Sequence, residues 1–401
     1  MSYKRILAVL FLSSFVALLS LFTIKFFLER NSPLKKATAL LVNDTSLHYH
    51  WGCYIKSSVI KETLESSGYN VDSISTSSLY RIKNHPNVIE NFKSSSFLNS
   101  FTLANPEIIE KIKDSEIVII NGEGTLHSLS NPVKSMLYIG YIAKVFFEKP
   151  VHIINAALFP NDFFLSRESA EKQFYDFVLE KVDSIAFRDT LSYELFPEFH
   201  NKSILSFDIL PLYIKNQFQG ESLPRFEKAV VISGSANIIL IPQRLDDLYS
   251  YVLDLQKRGY SVIFLTGGCQ KGAYDDQKIV DFFSEKPHSD HFKIISAPSP
   301  EEWLNTIRKA TFIVTGRQSI CIAAYMLKVP FIAFNSNTPK IESFFKETDG
   351  LPPISLDEPT FLEQLLKSTD QLEKKPPTPA TDDEINTLLH RSRKNFNFLS
   401  T

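Results

Sequence analysis

The chain has 401 residues, of which 44% are hydrophobic and 22% are charged. This length and composition predict two globular domains, each with a sizeable core. The formal net charge of -2 provides no basic field for a polyphosphate backbone, so binding to nucleic acid is not expected. The three cysteines, Cys53, Cys269 and Cys321, lie far apart and form no zinc-binding spacing, so no metal site is predicted.

An apolar run near the amino terminus predicts a membrane anchor. Residues 6–24 carry no charge, and a helix of about 20 such residues crosses a bilayer. Charged residues follow the run where a signal peptide would have a small-residue cleavage site, which favours an uncleaved signal anchor. Lys4 and Arg5 favour a cytoplasmic amino end, although basic residues also flank the other side. The prediction is a single-pass type II topology with a luminal body.

From residue 38 onwards, strand-like and helix-like stretches alternate, as they do in parallel sheets covered by helices on both faces. The predicted strands are residues 38–42, 69–74, 117–120, 151–155, 184–187 and 203–207, followed by 229–232, 261–265, 292–296, 311–314 and 330–334. Among the predicted helices are residues 57–68, which end at Gly68, residues 161–183, and a terminal helix within 384–398. Residues 211–228 interrupt the alternation and are predicted to be a linker. The predicted fold class is α/β, with two Rossmann-like, doubly wound domains facing each other across a cleft.

This pattern divides the chain into six predicted segments. They are a cytoplasmic tail, a signal-anchor helix, a stem, an N-terminal Rossmann-like domain, a C-terminal Rossmann-like domain, and a proline-rich linker with a terminal helix. Their predicted boundaries are residues 1–5, 6–28, 29–36, 37–215, 216–370 and 371–401.

The loop after the third predicted strand carries the residues Asn-Gly-Glu-Gly-Thr-Leu-His at positions 121–127. Its two glycines, Gly122 and Gly124, allow the backbone to approach a ligand closely, and the amides of Gly124 and Thr125 could bind an anion. Glu123 and His127 are titratable groups suited to proton transfer. By itself the motif is also compatible with a simple tight turn after a strand.

Other predicted strands end in polar residues at the same edge of their sheets. These residues are Asn43, Asp44, Thr45, His48, His50 and Gly52 after the first strand, Arg188, Asp189 and Ser192 after the fifth, and Gly316, Arg317, Gln318, Ser319, Asn335, Asn337 and Lys340 after the last two. Each group alone could be a helix cap or a salt bridge. Because the carboxyl ends of parallel strands meet at one edge, the groups together predict a site in the cleft.

These segments resemble the polysaccharide pyruvyl transferase family. The resemblance rests on residues 43–53, 121–127, 187–196, 206–212 and 315–341, and it extends over residues 38–345. It implies the two-domain arrangement of glycosyltransferase family B, phosphoenolpyruvate as donor substrate with no further cofactor, and formation of a pyruvate ketal on a sugar of a surface glycan. With its predicted anchor, the chain is most similar to fungal members that pyruvylate galactose on N-linked galactomannan.

The resemblance also implies an acceptor, partners and a location. The acceptor is an N-glycan that ends in β-galactose, and the protein is held in the Golgi or endoplasmic reticulum membrane by its anchor. A complex with other Golgi glycan enzymes is a further expectation.

Site roles follow from the resemblance together with the chemistry of phosphoenolpyruvate, which carries a carboxylate and a phosphate. Arginine forks suit both groups, so Arg188 and Arg317 are predicted to converge on the donor. The expected acid and base groups are Glu123, His127 and one of His48 or His50. The complete predicted set for binding the donor or acceptor is Asn43, Asn121, Gly122, Gly124, Thr125, Arg188, Asp189, Ser192, Arg317, Ser319, Asn337 and Lys340.

One departure from the family pattern bears on catalysis. The family has Arg, an apolar residue and His where this chain has Arg317, Gln318 and Ser319. A serine hydroxyl does not transfer a proton readily near neutral pH, so three hypotheses stay open. They are an active pyruvyl transferase, a catalytically impaired paralogue that binds glycan or a partner enzyme, and a nucleotide-sugar glycosyltransferase. The third is weakened because the cleft loops contain no Asp-x-Asp motif.

Overall fold

The structure is a computed structural model of the chain. It describes residues 36–47, 50–124, 126, 128–159, 170–218, 226–235, 237–267, 274–287, 289–348 and 350–400. Thr38–Thr401 form one compact unit, whereas nearly all of the other unit, Met1–Ala37, falls outside the described residues.

The first sheet has six parallel strands, all from the first half of the chain. They are β1 (Thr38–Asp44), β2 (Asn70–Ser75), β3 (Ile117–Asn121), β4 (Val151–Ala156), β5 (Ser184–Phe187) and β6 (Ser203–Leu205). Their order in the sheet is β2-β1-β3-β4-β5-β6. In the centre, Leu41 of β1 pairs with Ser73 on one side and Ile119 on the other. The β-branched run of β3 is fully buried because helices cover both faces.

The second sheet has five parallel strands. They are β7 (Ala229–Ile232), β8 (Ser261–Leu265), β9 (Phe292–Ile295), β10 (Phe312–Thr315) and β11 (Phe331–Ala333), in the order β11-β10-β7-β8-β9. The predicted α/β class is confirmed, and each predicted strand is present within about one to two residues of its expected bounds. The proposed domain boundary at residues 215 and 216 stays a prediction.

The helices connect consecutive strands and cover the sheets. They are α1 (Trp51–Ser66), α2 (Thr76–Leu79), α3 (Ile89–Lys93), α4 (Ser95–Ala104), α5 (Pro106–Asp114), α6 (Asn131–Val145), α7 (Ala170–Leu179), α8 (Thr190–Leu195), α9 (Leu210–Asn216), α10 (Pro242–Lys257), α11 (Tyr274–Ser284), α12 (Pro300–Lys309), α13 (Gln318–Met326), α14 (Lys340–Glu347), α15 (Phe361–Lys374) and α16 (Asp382–Arg393). The described residues also form short 3-10 segments at Pro197–Phe199, Ile238–Leu240 and Lys394–Ser400.

Helix α1 differs from its prediction at one end only. It stops before Gly68, whose φ of 95° is one that a glycine adopts without strain. It begins at Trp51, so Gly52 lies inside the helix and not ahead of it. The early start has a tertiary cause, because the Trp51 amide donates to Gly267 O at 2.8 Å and its indole Nε1 donates to Ala297 O at 3.0 Å.

The predicted linker at residues 211–228 is partly wrong. Its first residues belong to helix α9, in which five consecutive side chains from Leu210 to Ile214 are buried. This helix packs against α1, α13 and α16. Burial between three helices therefore turns a segment without a clear period into part of the core.

The helices between the two sheets share one hydrophobic core. Leu41 and Ile119 of the first sheet belong to the same buried cluster as Val231 and Ile313 of the second. Separate clusters lie on the outer faces of the two sheets. The shared core fixes the position of the strand ends of one sheet relative to those of the other.

The terminal helix packs back on the body of the protein, where α16 contacts α9 and the 3-10 segment after it contacts β4 and β5. Helix α16 starts with a capping box formed by Thr381 and Glu384. After it, Asn395 accepts from the amide of Asn155 at 2.7 Å and donates to Phe207 O at 2.7 Å. The end of the chain thus supports the loop that follows β6.

The predicted signal anchor, residues 6–28, lies outside the described residues. Within the part of the chain that the structure describes, none of the helices has the length and apolar character needed to cross a bilayer.

Candidate functional site

A cavity of about 370 Å³ lies where the carboxyl ends of strands from both sheets meet. The first half of the chain contributes residues that follow β1, β3 and β5, together with the first turns of α1. The second half contributes residues that follow β8, β10 and β11. The charged residues that line the cavity are Lys56, Glu123, Arg188, Arg317 and Lys340, with His50 beside them. The structure therefore brings together side chains that are nearly 300 positions apart in the sequence.

Two buried asparagines at the strand ends support the cavity without lining it. Asn43 is fully buried, and its Nδ2 donates to Asn121 O at 2.8 Å. Asn121 Nδ2 donates back to Asn43 O at 3.3 Å, and Asn121 Oδ1 accepts from the Glu123 amide at 3.2 Å. These contacts bind β1 to β3 and fix the backbone of Glu123. Both asparagines therefore hold residues that line the cavity, namely Glu123 and also Thr76, whose Oγ1 donates to Asn43 Oδ1 at 2.8 Å.

Lys56 is the most buried cation of the site, with 1% of its surface exposed. Its Nζ lies 2.9 Å from Glu123 Oε1 and 3.1 Å from Asp208 Oδ2, and it donates to Ser319 Oγ at 3.3 Å. Burial favours the neutral amine, but Asp208 and Glu123 outweigh it and raise the pKa of Lys56 above its ordinary value. The ammonium is thus a fixed positive charge that joins residues of both halves of the chain.

Arg188 lies beside Lys56 and shares one of its partners. Its Nη1 donates to Asp208 Oδ2 at 3.0 Å, and its Nη2 donates to Gln318 Oε1 at 3.0 Å. Gln318 in turn donates from Nε2 to Lys340 O at 3.2 Å. The guanidinium is therefore oriented by contacts to both halves of the chain.

Arg317 also lines the cavity and belongs to a second charged group. It forms an ion pair with Asp276, and its Nη1 donates to His50 Nε2 at 3.1 Å. An arginine N–H can only donate, so His50 must accept at Nε2 and carry its proton on Nδ1. Nδ1 lies 4.0 Å from Asp276 Oδ2. The Asp276 carboxylate is itself held in place by the Gly267 amide at 2.7 Å.

Lys340 is the fourth cation and differs from the other three. Its Nζ donates to Asn337 Oδ1 at 3.1 Å, and within the described part of the chain it forms no ion pair with a carboxylate. Burial and the nearby positive charges of Arg188 and Lys56 lower the pKa of Lys340 to about 8. Among the described residues of the cavity, it is thus a group able to gain or lose a proton close to neutral pH.

Close packing between two helices brings Ser319 to the cavity wall. A Cβ built on Gly52 would lie 2.4 Å from Ser319 Oγ and 2.5 Å from Ser319 Cβ. Glycine at position 52 therefore lets α1 touch the start of α13. Gly122 has a comparable role, because a Cβ there would lie 2.7 Å from the Cα of Ala156.

The other predicted residues fall into three groups. Gly124, with a φ of 60°, and Asn337 line the cavity. Asp189 and Ser192 do not line it, because Asp189 caps α8 by accepting from the Ser192 amide at 2.8 Å. His48, Thr125 and His127 lie outside the described residues, so their roles stay predictions.

Sequence reasoning missed three residues that shape the site, namely Lys56, Asp208 and Asp276. Lys56 offered a signal, since it follows Ile55 on the apolar side of α1 and precedes Ile60 by one turn. A lysine on the buried face of a helix needs charged partners. Asp208 lay within a segment that resembled the family, but Asp276 had no local signal. Cys53 Sγ also contacts Glu123 Oε1 at 3.6 Å, and burial, reinforced by Glu123, raises the pKa of this thiol, so it stays protonated.

Metal binding receives no support from the described residues, which contain no group of three His, Cys, Asp or Glu side chains arranged to hold an ion.

Comparisons with solved structures identify similar folds. S. aureus MnaA in a co-structure with UDP is 12% identical with a TM-score of 0.58, and the match covers 91% of this chain and 98% of that one. UDP-GlcNAc 2-epimerase from Methanocaldococcus jannaschii is 15% identical with a TM-score of 0.58, covering 91% and 99%. The Neisseria meningitidis enzyme bound to UDP-GlcNAc is 14% identical with a TM-score of 0.53, covering 88% and 94%. At such identities the likeness concerns the fold alone, and it confirms the predicted pair of Rossmann-like domains.

Sequence comparison identifies the family. No curated protein matches the chain. A model of the polysaccharide pyruvyl transferase family matches residues 57–338, which is more than half of the chain and includes most of the residues that line the cavity. The chain therefore belongs to the polysaccharide pyruvyl transferase family.

Proposed function

We propose that the protein is a pyruvyl transferase that takes the pyruvyl group from phosphoenolpyruvate and forms a ketal on galactose of an N-linked galactomannan. One observation carries this proposal. Four cations, Lys56, Arg188, Arg317 and Lys340, surround a single cavity at the strand ends of both sheets. Among the described residues, the carboxylates of Glu123, Asp208 and Asp276 offset only part of this charge. A small ligand with two anionic groups fits such a site.

The proposed reaction assigns donor binding to two arginines and proton transfer to Glu123. The planar forks of Arg188 and Arg317 suit the carboxylate and the phosphate of the donor, each from one half of the chain. Glu123 Oε1 is held near the cavity by Lys56 at 2.9 Å and is placed to accept a proton from a sugar hydroxyl. Each turnover joins two sugar oxygens to C2 of the donor, adds one proton to C3 and releases phosphate.

The location and partners are also proposals. They are a Golgi or endoplasmic reticulum membrane with a luminal body, an acceptor ending in β-galactose, and assembly with other glycan enzymes of that compartment. They rest on the apolar run at residues 6–24 and on the family.

The first test of the proposed function is binding. Phosphoenolpyruvate, a sugar nucleotide and inorganic phosphate are each added to the full-length protein, and the unfolding temperature is measured. A ligand at 100 times its dissociation constant stabilises a protein by about 2.7 kcal/mol. We expect phosphoenolpyruvate to stabilise this protein more than the other two ligands do. Stabilisation by the sugar nucleotide alone would assign the cavity to nucleotide-sugar chemistry.

The second test is turnover, measured as phosphate release with a β-galactoside acceptor. A catalytically impaired paralogue is favoured by one observation, the presence of Ser319 where the family has histidine. Such a protein binds phosphoenolpyruvate without releasing phosphate, and Ser319→His restores release. Turnover by the native chain supports the enzyme instead.

A further inference from the structure

We propose that Lys340 is the general acid of the transfer, delivering its ammonium proton to C3 of phosphoenolpyruvate. This inference rests on the proposed function and adds the residue that supplies the proton. Lys340 opens helix α14 and lines the same cavity as the two arginines expected to bind the donor. Its role would explain how the chain manages with serine at position 319.

The surroundings of Lys340 distinguish it from the other cations of the cavity. Lys56, Arg188 and Arg317 each contact a carboxylate, and those contacts hold their charges in place. Within the described part of the chain, Lys340 contacts the neutral amide of Asn337 instead. Its amine can therefore lose a proton without breaking an ion pair.

The charges that face Lys340 come from several elements. Lys56 on α1, Arg188 after β5 and Arg317 after β10 disfavour its ammonium form, whereas Glu123 after β3 favours it. On the same helix, burial raises the pKa of Glu342 and has the larger effect, whereas the positive charge of Lys340 lowers it. Burial and the cations prevail and lower the pKa of Lys340 to about 8. A bound donor carrying a carboxylate and a phosphate reverses this balance, since nearby anions favour the protonated amine.

Proton transfer then follows from donor binding. With a pKa of about 8, the Lys340 amine is only partly protonated near pH 8, and it completes its protonation as the anionic donor enters, so the acid is fully charged when its substrate is bound. As the first sugar oxygen bonds to C2, the electrons of the C2–C3 double bond take the Lys340 proton to C3, and Glu123 accepts the hydroxyl proton. The C2–O bond to phosphate then breaks, the second hydroxyl bonds to C2, and its proton returns to the neutral amine. Glu123 returns its own proton to the departing phosphate, which leaves as the monoprotonated dianion, so atoms and charge balance.

Calorimetry of phosphoenolpyruvate binding tests this without requiring turnover. The full-length protein is titrated at pH 8 in two buffers that differ in ionisation enthalpy, which yields the number of protons taken up. With a pKa of about 8, the native chain should take up about half a proton for each donor bound. Lys340→Arg should take up none, because arginine is always protonated, while its affinity stays within about threefold. His50→Gln should keep the uptake, which excludes His50 as its source.

Turnover supplies a second comparison. Lys340→Arg should lower the rate of phosphate release by about 100-fold or more, since general acid catalysis contributes about 10²–10⁴. Lys346→Met, on the exposed side of the same helix and paired with Glu194, serves as the matched control and should behave as the native chain.

The outcomes separate the two proposals. Binding of the donor with unchanged proton uptake in Lys340→Arg would overturn the assignment of Lys340 and leave the proposed function intact. Native turnover by Lys340→Arg would also overturn it. Absence of any binding of phosphoenolpyruvate by the native chain would overturn both.

Discussion

Replacing Lys56 by methionine tests whether a buried lysine organises the site. Methionine has nearly the same volume, so the change removes the charge without opening a cavity. It removes the cation 2.9 Å from Glu123 Oε1 and leaves Arg188 Nη1 at 3.9 Å, while Asp208 keeps Arg188 at 3.0 Å. Breaking a buried ion pair by removing one partner costs about 3–5 kcal/mol. Because Arg188 stays within ion-pair distance of both carboxylates, we expect a loss near the lower end, about 3 kcal/mol.

Denaturant unfolding of the full-length protein measures this loss, and its pH dependence identifies the cause. In Lys56→Met, a buried carboxylate that has lost its nearest cation is expected to have a folded-state pKa above its unfolded value. Such a group destabilises the folded state at neutral pH and ceases to do so once it is protonated. The deficit, meaning the unfolding free energy that Lys56→Met lacks relative to the native chain, should therefore shrink between pH 7 and pH 5. In the native chain, the pKa of Lys56 is raised above its ordinary value, so the ammonium stabilises the fold fully at every pH between 5 and 7.

Lys346→Met provides the comparison, since it breaks an exposed pair worth about 0–1 kcal/mol. A deficit below about 1 kcal/mol in Lys56→Met, or one that is the same at pH 7 and pH 5, would refute the view that Lys56 compensates two buried carboxylates.

Three further predictions concern packing, donor binding and topology. Gly52→Ala should destabilise the protein by about 1–3 kcal/mol, because its Cβ would lie 2.4 Å from Ser319 Oγ. In a denaturant double-mutant cycle, Ser319→Gly should relieve that loss, and additive losses would count against the contact. Arg317→Ala should weaken phosphoenolpyruvate binding at least about 10-fold by calorimetry, and unchanged affinity would remove Arg317 from the donor site. Of the sequons at Asn43 and Asn201, only the exposed Asn201 should carry a glycan in a luminal body, whereas Asn43 is fully buried. Deglycosylation should therefore alter gel mobility in the native chain but not in Asn201→Gln, and a native chain without any glycan would contradict the luminal topology.

The strands could be predicted because their signal is local. A parallel strand that is buried on both faces, such as Ile117–Asn121, needs apolar side chains at consecutive positions. The residues at the strand ends were predictable for a related reason. The carboxyl ends of parallel strands share one edge of a sheet, so the polar residues that follow them must come close together.

Other features depended on contacts that are distant in the sequence. Leu210–Asn216 is a helix because three other helices surround it, and its own residues carry no clear period. Asp189 and Ser192 follow a strand as site residues do, yet they satisfy each other at a helix start instead. Lys56 lines the cavity because the first helix docks through Trp51 against Gly267 and Ala297, which are more than 200 positions away in the sequence.

The sequence by itself determined the α/β class, the order of the strands along the chain, the family and many of the residues that line the cavity, among them Glu123, Arg188 and Arg317. Tertiary structure decided which charges are paired and which are not. Lys56 and Asp208 are 152 positions apart, and Arg317 and Asp276 lie on different elements, yet each pair meets within ion-pair distance. A charge in water has no fixed partner, whereas a charge buried between two sheets must find one or give up its proton. Packing, and not any local pattern, therefore decided that Lys56 and Arg317 have carboxylate partners. It also placed Lys340 in a buried position near other cations, which lowers the pKa of its amine.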